Sequence, residues 1–308
     1  SGTPILNTYE DLWSQIRFLN PALVGANFYA WRKKHLMDAN AEKSWLKFPS
    51  YVPRPDSLLE FKQLMAISGT TVKKADALDL PPLVKIIHEV ELHENIARQY
   101  RELEKTFIAS IDDDVIVTDL VVTKMLRLNQ LCSGILVGEK ETTLVETEKN
   151  TALLEILSDI CPDRKHKVIV WANFTGAIEQ IKRICEAIDL RYCTIVGGQS
   201  SEDRQQQIDS FNDDIDISVM IANQAAGGVG INLQSASYMI YYSRDYNLEK
   251  DLQSEARAYR GGSEQHQKVT RIDLVTKNTL EEEILSALRD KLELSELLRR
   301  IKDKHERR

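Results

Sequence analysis

Two patterns of apolar positions divide the chain. Before residue 167 they recur mostly at helical spacing. Leu12, Trp13, Ile16 and Leu19 share one side of a helix over 10–19, which Asn20-Pro21 ends. Short helices are expected over 28–37 and 58–65, and the three prolines of 48–55 mark a loop between them. The polar stretch 68–79 reads as a linker that runs into Leu80-Pro81-Pro82. Residues 84–92 then read as a strand. Ile96, Tyr100, Leu103 and Phe107 set an amphipathic helix over 94–110, and two more helices cover 117–131 and 151–160.

From Lys167 short apolar runs alternate with helices. Strands are expected over 168–172, 191–196, 215–222, 238–242 and 269–275. In the third, Ile215, Ile217, Val219 and Ile221 alternate with other residues. Asn173 is placed to cap a helix that buries Phe174, Ala177, Ile181, Ile184 and Ile188. Ser200 with Asp203 resembles a capping box for a helix through 211. Thr279 with Glu282 makes another, ahead of a stripe of Leu280, Ile284, Leu288 and Leu292. This order implies an α/β fold with a mostly parallel sheet. In such sheets ligands bind at the carboxyl ends of the strands. Four loops leave those ends: 173–174, 197–199, 223–233 and 243–245.

The last loop leads into a helix over 248–260, containing Gln-Ser-Glu-Ala-Arg-Ala-Tyr-Arg at 253–260. Gln253, Arg257 and Arg260 fall at i, i+4 and i+7 on one face. Leu252, Ala256 and Tyr259 would face a core, and Gly261-Gly262 would stop the helix. Two guanidinium forks on one face suit phosphate oxygens. A solvated charged face, with Glu249 and Glu255 as partners, explains the same octet. The polar face is expected to reach the edge where the four loops gather.

The segment 223–233 reads Asn-Gln-Ala-Ala-Gly-Gly-Val-Gly-Ile-Asn-Leu. Its glycines allow tight turning and close backbone approach, and free N–H groups there could hold a phosphate. A structural glycine turn is the simpler account. A dinucleotide fingerprint fits poorly: Gly228 and Gly230 give G-x-G, but Leu233 stands where a third glycine belongs, and the strand before the loop is internal.

Composition narrows these readings. The chain has 308 residues, 43% hydrophobic and 28% charged, in the range of globular proteins. A net charge of -7 excludes an overall basic nucleic-acid wrapper, so a nucleic-acid site must be a local patch. Cys132, Cys161, Cys185 and Cys193 have neither zinc nor disulfide-scaffold spacing, and no metal site is expected. His88 and His93 lack a third ligand, and Asp112-Asp113-Asp114 lacks EF-hand spacing. No membrane span or signal peptide is read, and a cytoplasmic setting, bacterial or phage-infected, is expected. Trp31, Arg32, Lys33, Lys34 and His35 form a basic, aromatic cluster that reads as a snorkelling surface or a nucleic-acid contact. The tail from Arg299 is basic, either a DNA contact or a solvated helix end.

Together the motifs resemble the C-terminal half of a Snf-type ATPase of helicase superfamily two, over residues 1 to about 289. Ser1–Asn7 is similar to the family's third motif and Asp11-Leu12-Trp13 to the helix after it. Leu80-Pro81-Pro82 and Leu126–Gly134 resemble two further landmarks. Val168–Phe174 resembles the fourth motif, Ile221–Leu233 the fifth and Gln253–Arg260 the sixth. Ala256 stands where the family usually has Asp, and Tyr259 where it usually has His. The resemblance implies a RecA-like parallel sheet flanked by helices, with helical insertions and an N-terminal helical segment. It also implies an organisation of three parts. Residues 1–79 would be the tail of a first motor lobe with a helical protrusion and linker. Residues 80–276 would be the second lobe, with a helical insertion near 94–160. Residues 277–308 would form a C-terminal helix.

The resemblance further implies roles. Arg257 and Arg260 would be arginine fingers for ATP, steadied by Gln253. Gly228 and Gly230 would shape the loop that couples ATP to DNA. Asn173, Phe174, Asn223 and Gln224 would contact the DNA backbone, which sets position without reading sequence. The chain has no G-x-x-x-x-G-K-S/T loop and no Asp-Glu-x-His box. ATP and Mg2+ are therefore expected only in the complete enzyme, with an N-terminal ATPase lobe as partner, and this chain alone is expected to be inactive. A non-catalytic DNA- or protein-binding module is the rival class. A Rossmann-type oxidoreductase is a third reading, which predicts tight binding of a nicotinamide cofactor.

Overall fold

The computed structural model describes residues 5, 9–39, 41, 49, 51–70, 72, 77–109, 119–138, 141–162, 164–227, 230–290, 297–298, 300–301 and 304. The expectations for Ser1–Pro4, the Asp112–Asp114 run, Gly228, Leu292 and most of the basic tail lie outside those residues. Tertiary contacts divide the chain into two units, 1–78 and 79–308.

The first unit is built from helices α1 (Glu10–Leu19), α2 (Pro21–Val24), α3 (Phe28–His35) and α4 (Ser57–Ser68). A two-stranded antiparallel ribbon, β1 (Leu36–Asp38) with β2 (Tyr51–Pro53), completes it. Asn20 caps α2 through Ala22 N, ahead of a proline at the first turn, and Asn27 caps α3 through Ala30 N. Leu12, Ile16, Val24, Trp31, Leu36 and Phe61 are its core. The α3 helix stops at His35 because Leu36 turns extended and enters the ribbon, so Met37 is strand and not helix. The proline-rich stretch read as a loop supplies the other strand. Arg32 lies over the rings of Phe28, Tyr29 and Tyr51 and pairs with Glu10 at 3.2 Å, so it packs as well as solvates.

The second unit centres on a six-stranded sheet of β3 (Leu83–Val90), β6 (Lys167–Trp171), β7 (Arg191–Ile195), β8 (Ile217–Ala222), β9 (Ala236–Tyr241) and β10 (Val269–Thr276). The strand order is β3-β10-β9-β6-β8-β7, and every pairing is parallel. The helices around it are α5 (Glu94–Ile108), α6 (Asp119–Cys132), α7 (Glu148–Ile160), α8 (Thr175–Ala187), α9 (Ser201–Asp213), α10 (Gln224–Gly227), α11 (Leu248–Ala258) and α12 (Leu280–Asp290). A small ribbon, β4 (Ile135–Val137) with β5 (Thr142–Leu144), follows α6.

Helices cover both faces of this sheet. Val168, Val170, Val219, Ile221 and Ile240 pack against Leu153 and Leu157 of α7 and Ile178 and Ile181 of α8. On the opposite face Ile169, Trp171, Met220, Met239 and Tyr241 meet Ile208 and Phe211 of α9 and Ala258 of α11. Each large side chain buried fully in this way stabilises the fold by roughly 1.5–3 kcal/mol. A third cluster joins α5, α6 and α12 through Ile96, Tyr100, Phe107, Met125, Leu128, Ile284 and Leu288.

The alternation read in 215–222 has a different meaning here. The strand begins at Ile217, and all of its residues are buried. A central parallel strand is covered on both sides, so neither face is polar. Ile215 lies before the strand and is 72% exposed. The second capping box also shifts by one residue. Thr279 Oγ1 accepts from Glu281 N, and the Glu281 carboxylate accepts from Thr276 N at 2.8 Å. The Ser200 box forms as read, with Asp203 N donating to Ser200 Oγ at 3.0 Å.

Candidate functional site

At the carboxyl edge of the sheet three strand ends are tied side by side. Ala172 N donates to Ala222 O at 2.9 Å, and Asn223 N donates to Ile195 O at 2.8 Å. Asn223 Nδ2 donates to Asn173 O, and Asn173 N donates to Ser243 Oγ, both at 3.0 Å. Asn173 and Asn223 therefore sit together, with Ser243 beside them. Asn223 Oδ1 also accepts from Ala225 N and so starts the short α10.

Asn173 does not cap α8. Phe174 occupies the N-cap position and offers no side-chain acceptor. The Asn173 Nδ2 group is buried and has no hydrogen-bond partner among the described residues. Buried as it is, that donor meets an incoming acceptor only after its surroundings shift. Phe174 is half-buried and leans on the core under α8. The Gln224 side chain is buried, at 1% exposure, and donates to Ser254 Oγ at 3.1 Å. That side chain therefore does not face a nucleic-acid backbone, in contrast to the expectation from sequence.

Residues 230–233 lie beside α11 and lead to the start of β9, at the opposite edge of the sheet. Gly230 has φ +73, a conformation that glycine adopts without strain, and nothing lies within 4 Å of where its Cβ would be. It is backbone freedom, and not close approach, that calls for glycine here. Gly230→Ala is expected to cost about 1–2 kcal/mol through left-handed backbone strain, a shift readable in a thermal melt.

Arg257 and Arg260 converge on one acceptor. Their Nη1 atoms point at Ile231 O at 3.4 and 3.5 Å, and Leu233 N donates to Arg257 O at 3.0 Å. Burial, and then the charge of Arg260, push the Arg257 pKa down from its ordinary value. The helix does not carry both arginines, as the octet suggested. It ends at Ala258, and Arg260 lies in a turn closed by Ser263 N donating to Arg260 O at 2.9 Å. The two arginines thus sit by the start of β9, not among the strand ends that carry Asn173 and Asn223. Gln253 turns away from them and donates to Glu249 Oε1 at 2.7 Å.

The buried stripe of α11 is also not the one expected. Asp251, Ser254 and Ala258 face inward, while Leu252 is 41% exposed. The reason is Arg271 on β10, a residue that the sequence reading missed. Its guanidinium binds Asp251 through two bonds of 2.8 and 3.0 Å, Glu255 at 2.9 Å and Asp273 at 3.0 Å. It also lies 3.9 Å from the Tyr241 ring centroid. Arg244 reaches Asp273 from the other side at 2.8 Å. Burial alone would raise the Asp273 pKa, but Arg244 and Arg271 outweigh it and hold the carboxyl below its ordinary value. Glu255, a candidate partner for the arginines of 253–260, is instead shared by Arg271 and Lys85. The available signal was two acids one helical turn apart, at 251 and 255, followed by Arg-x-Asp in a strand.

Among the described residues no group of three or more His, Cys, Asp or Glu could hold a metal ion, and no helix is long and apolar enough to cross a membrane.

Comparison with known proteins agrees with this architecture. Residues 148–262 match the helicase conserved C-terminal domain. The chain is 27% identical over 315 residues to the ISWI chromatin-remodeling complex ATPase ISW1 of Saccharomyces cerevisiae, covering 97% of this chain and 26% of that protein. The chain spans about a quarter of the length of the curated relatives it matches. Among solved structures, the C-terminal part of the Fun30 ATPase domain superposes with a TM-score of 0.58 at 21% identity, over 73% of this chain and 96% of that one. The Sulfolobus solfataricus SWI2/SNF2 ATPase core in complex with dsDNA gives 0.55 at 24% identity, over 92% of this chain and 58% of that one. Residues 148–262 thus match a helicase C-terminal domain, and in sequence and fold the chain is similar to the C-terminal part of Snf-type ATPases.

Proposed function

We propose that the chain is the second motor lobe of an ATP-dependent DNA helicase or translocase. The observation that carries this reading is what the two ends of the segment 223–233 meet. At one end of it Asn223 lies beside Asn173 on the strand-end edge, and at the other Ile231 O holds Arg257 and Arg260. One segment thus touches a candidate nucleic-acid edge and a candidate phosphate site. In this reading Arg257 and Arg260 act as arginine fingers toward ATP phosphates presented by the first lobe. The Arg260 bond to Ile231 O is long, so little of it is lost when a phosphate oxygen takes over. Asn173, Phe174 and Asn223 would meet the DNA backbone, through hydrogen bonds that position without reading sequence. Gln253 would act indirectly, by fixing the first turns of α11 through Glu249.

ATP and Mg2+ belong to the complete two-lobe enzyme, where the phosphate loop and metal ligands would come from the other lobe. ATP would close the lobes around DNA and hydrolysis would release them. The names of relatives support this class of activity: one is a chromatin-remodeling ATPase, and a solved core was captured with dsDNA.

The test is phosphate release measured by malachite green. This chain with ATP, Mg2+ and DNA is expected to give no turnover. The same chain joined to a first lobe is expected to release phosphate faster when DNA is added. Turnover by this chain alone, or none from the joined lobes, overturns the proposal.

A further inference from the structure

The Ser254 hydroxyl, with no exposed surface, sits one helical turn before Arg257 on α11. It donates to Asp251 O at 2.9 Å and receives the Gln224 amide at 3.1 Å, with the Tyr241 hydroxyl 3.0 Å away. Tyr241 lies under the Arg271 guanidinium, which holds Asp251 and Glu255 on the same helix. Gln224 thus plugs the loop that leaves β8 into the hub that fixes α11.

We infer that the Gln224–Ser254 hydrogen bond is the contact through which the strand-end loop sets the position of α11, and with it Arg257 and Arg260. Both are positioning residues, and the inference rests on the motor-lobe reading above. A displacement of Asn223 by a bound strand moves Gln224, its chain neighbour. Gln224 pulls on Ser254, and the arginines at the far end of that rigid helix follow. The chemistry of the pair argues against packing as its purpose. Gln224 Oε1 is buried and has no hydrogen-bond partner among the described residues. An apolar side chain of equal length would fill this place without that orphan carbonyl. Ser254 stands inside a helix where alanine would be the better former. Each residue gives up local stability and obtains a bond that joins two ends of one site.

The experiment uses the complete two-lobe protein. The ratio of DNA-stimulated to DNA-free ATP turnover is measured for the parent, Gln224→Met, Ser254→Ala and the double variant, with a melting temperature for each. Each single variant is expected to lower the ratio by roughly five- to tenfold, at the low end of coupling between sites. The double variant should fall no further than either single one. The Gln224→Met melting temperature should hold or rise, which a purely structural role would not allow together with a reduced ratio; variants with Ser254→Ala orphan the Tyr241 hydroxyl and should melt lower. A stimulated parent whose variants keep its ratio, or variants whose losses add, overturns the coupling contact alone. A parent without DNA stimulation overturns the motor reading as well.

Discussion

On the proposed motor-lobe function, Arg260→Ala in the two-lobe protein is expected to lower DNA-stimulated ATP turnover by roughly three to five orders of magnitude, the span by which arginine fingers accelerate phosphoryl transfer. The fold should hardly notice. Arg260 is only half-buried and lies beyond the end of α11, and its side chain makes a long bond to Ile231 O at 3.5 Å. Surface changes of this kind usually stay within about 0.5 kcal/mol. The loss should appear in kcat, because in that role the guanidinium would meet charge that develops only in the transition state. Arg260→Lys keeps one positive charge but not the planar fork, so it should recover little. Steady-state phosphate release with a melting curve on each variant is sufficient. Turnover within tenfold of the parent would remove Arg260 from the reaction, and retained DNA binding with unchanged turnover would favour a binding module.

Arg271→Ala is expected to destabilise this lobe by about 3–5 kcal/mol, as for a buried ion pair that loses one partner. The side chain is 4% exposed and faces Asp251, Glu255 and Asp273. Its removal leaves those carboxylates in a poorly solvated place, with only Arg244 near Asp273 and Lys85 near Glu255. Urea unfolding should show a lower midpoint with an unchanged slope. The acid dependence of stability should also be weaker in the variant. In the parent, the folded pKa of Asp273 lies below its ordinary 3.8. Its contribution is therefore complete above that value and is lost as pH falls through the depressed folded one. Without Arg271 the folded pKa rises toward the unfolded one, so both the contribution and its loss on acidification shrink. A midpoint shift worth less than about 1 kcal/mol would mean that the cluster relaxes into water, as exposed pairs do.

The same cluster explains where sequence reading worked and where it stopped. Repeats such as Val168, Val170 and Ala177, Ile181 depend on local spacing and burial, and those elements lie where the pattern put them. The Ser200 cap is equally local. The inward face of α11 is not local. Asp251 is buried because Arg271, on a strand twenty residues further on, accepts it, and no periodicity in 248–260 carries that fact. Gln224 was legible as part of a loop but not as buried, since Ser254 receives it from thirty residues away. Asn173 has the composition of a cap, yet its backbone is tied to Ser243 and the cap position falls one residue later. The arginines were legible as a pair, but what brings them together is the Ile231 carbonyl, which lies in another loop.

The β3 strand ends the sheet order and pairs only with β10 among the described strands. Val84, Ile86 and Ile87 on it are exposed. A row of unsatisfied main-chain groups beside aliphatic side chains invites a second sheet to dock and grow. Lys85 and Glu89 place charge along that margin, and Lys277 adds another at its end. Ionic strength should therefore govern how concentrated a solution this lobe tolerates, since salt weakens the repulsion that keeps such margins apart.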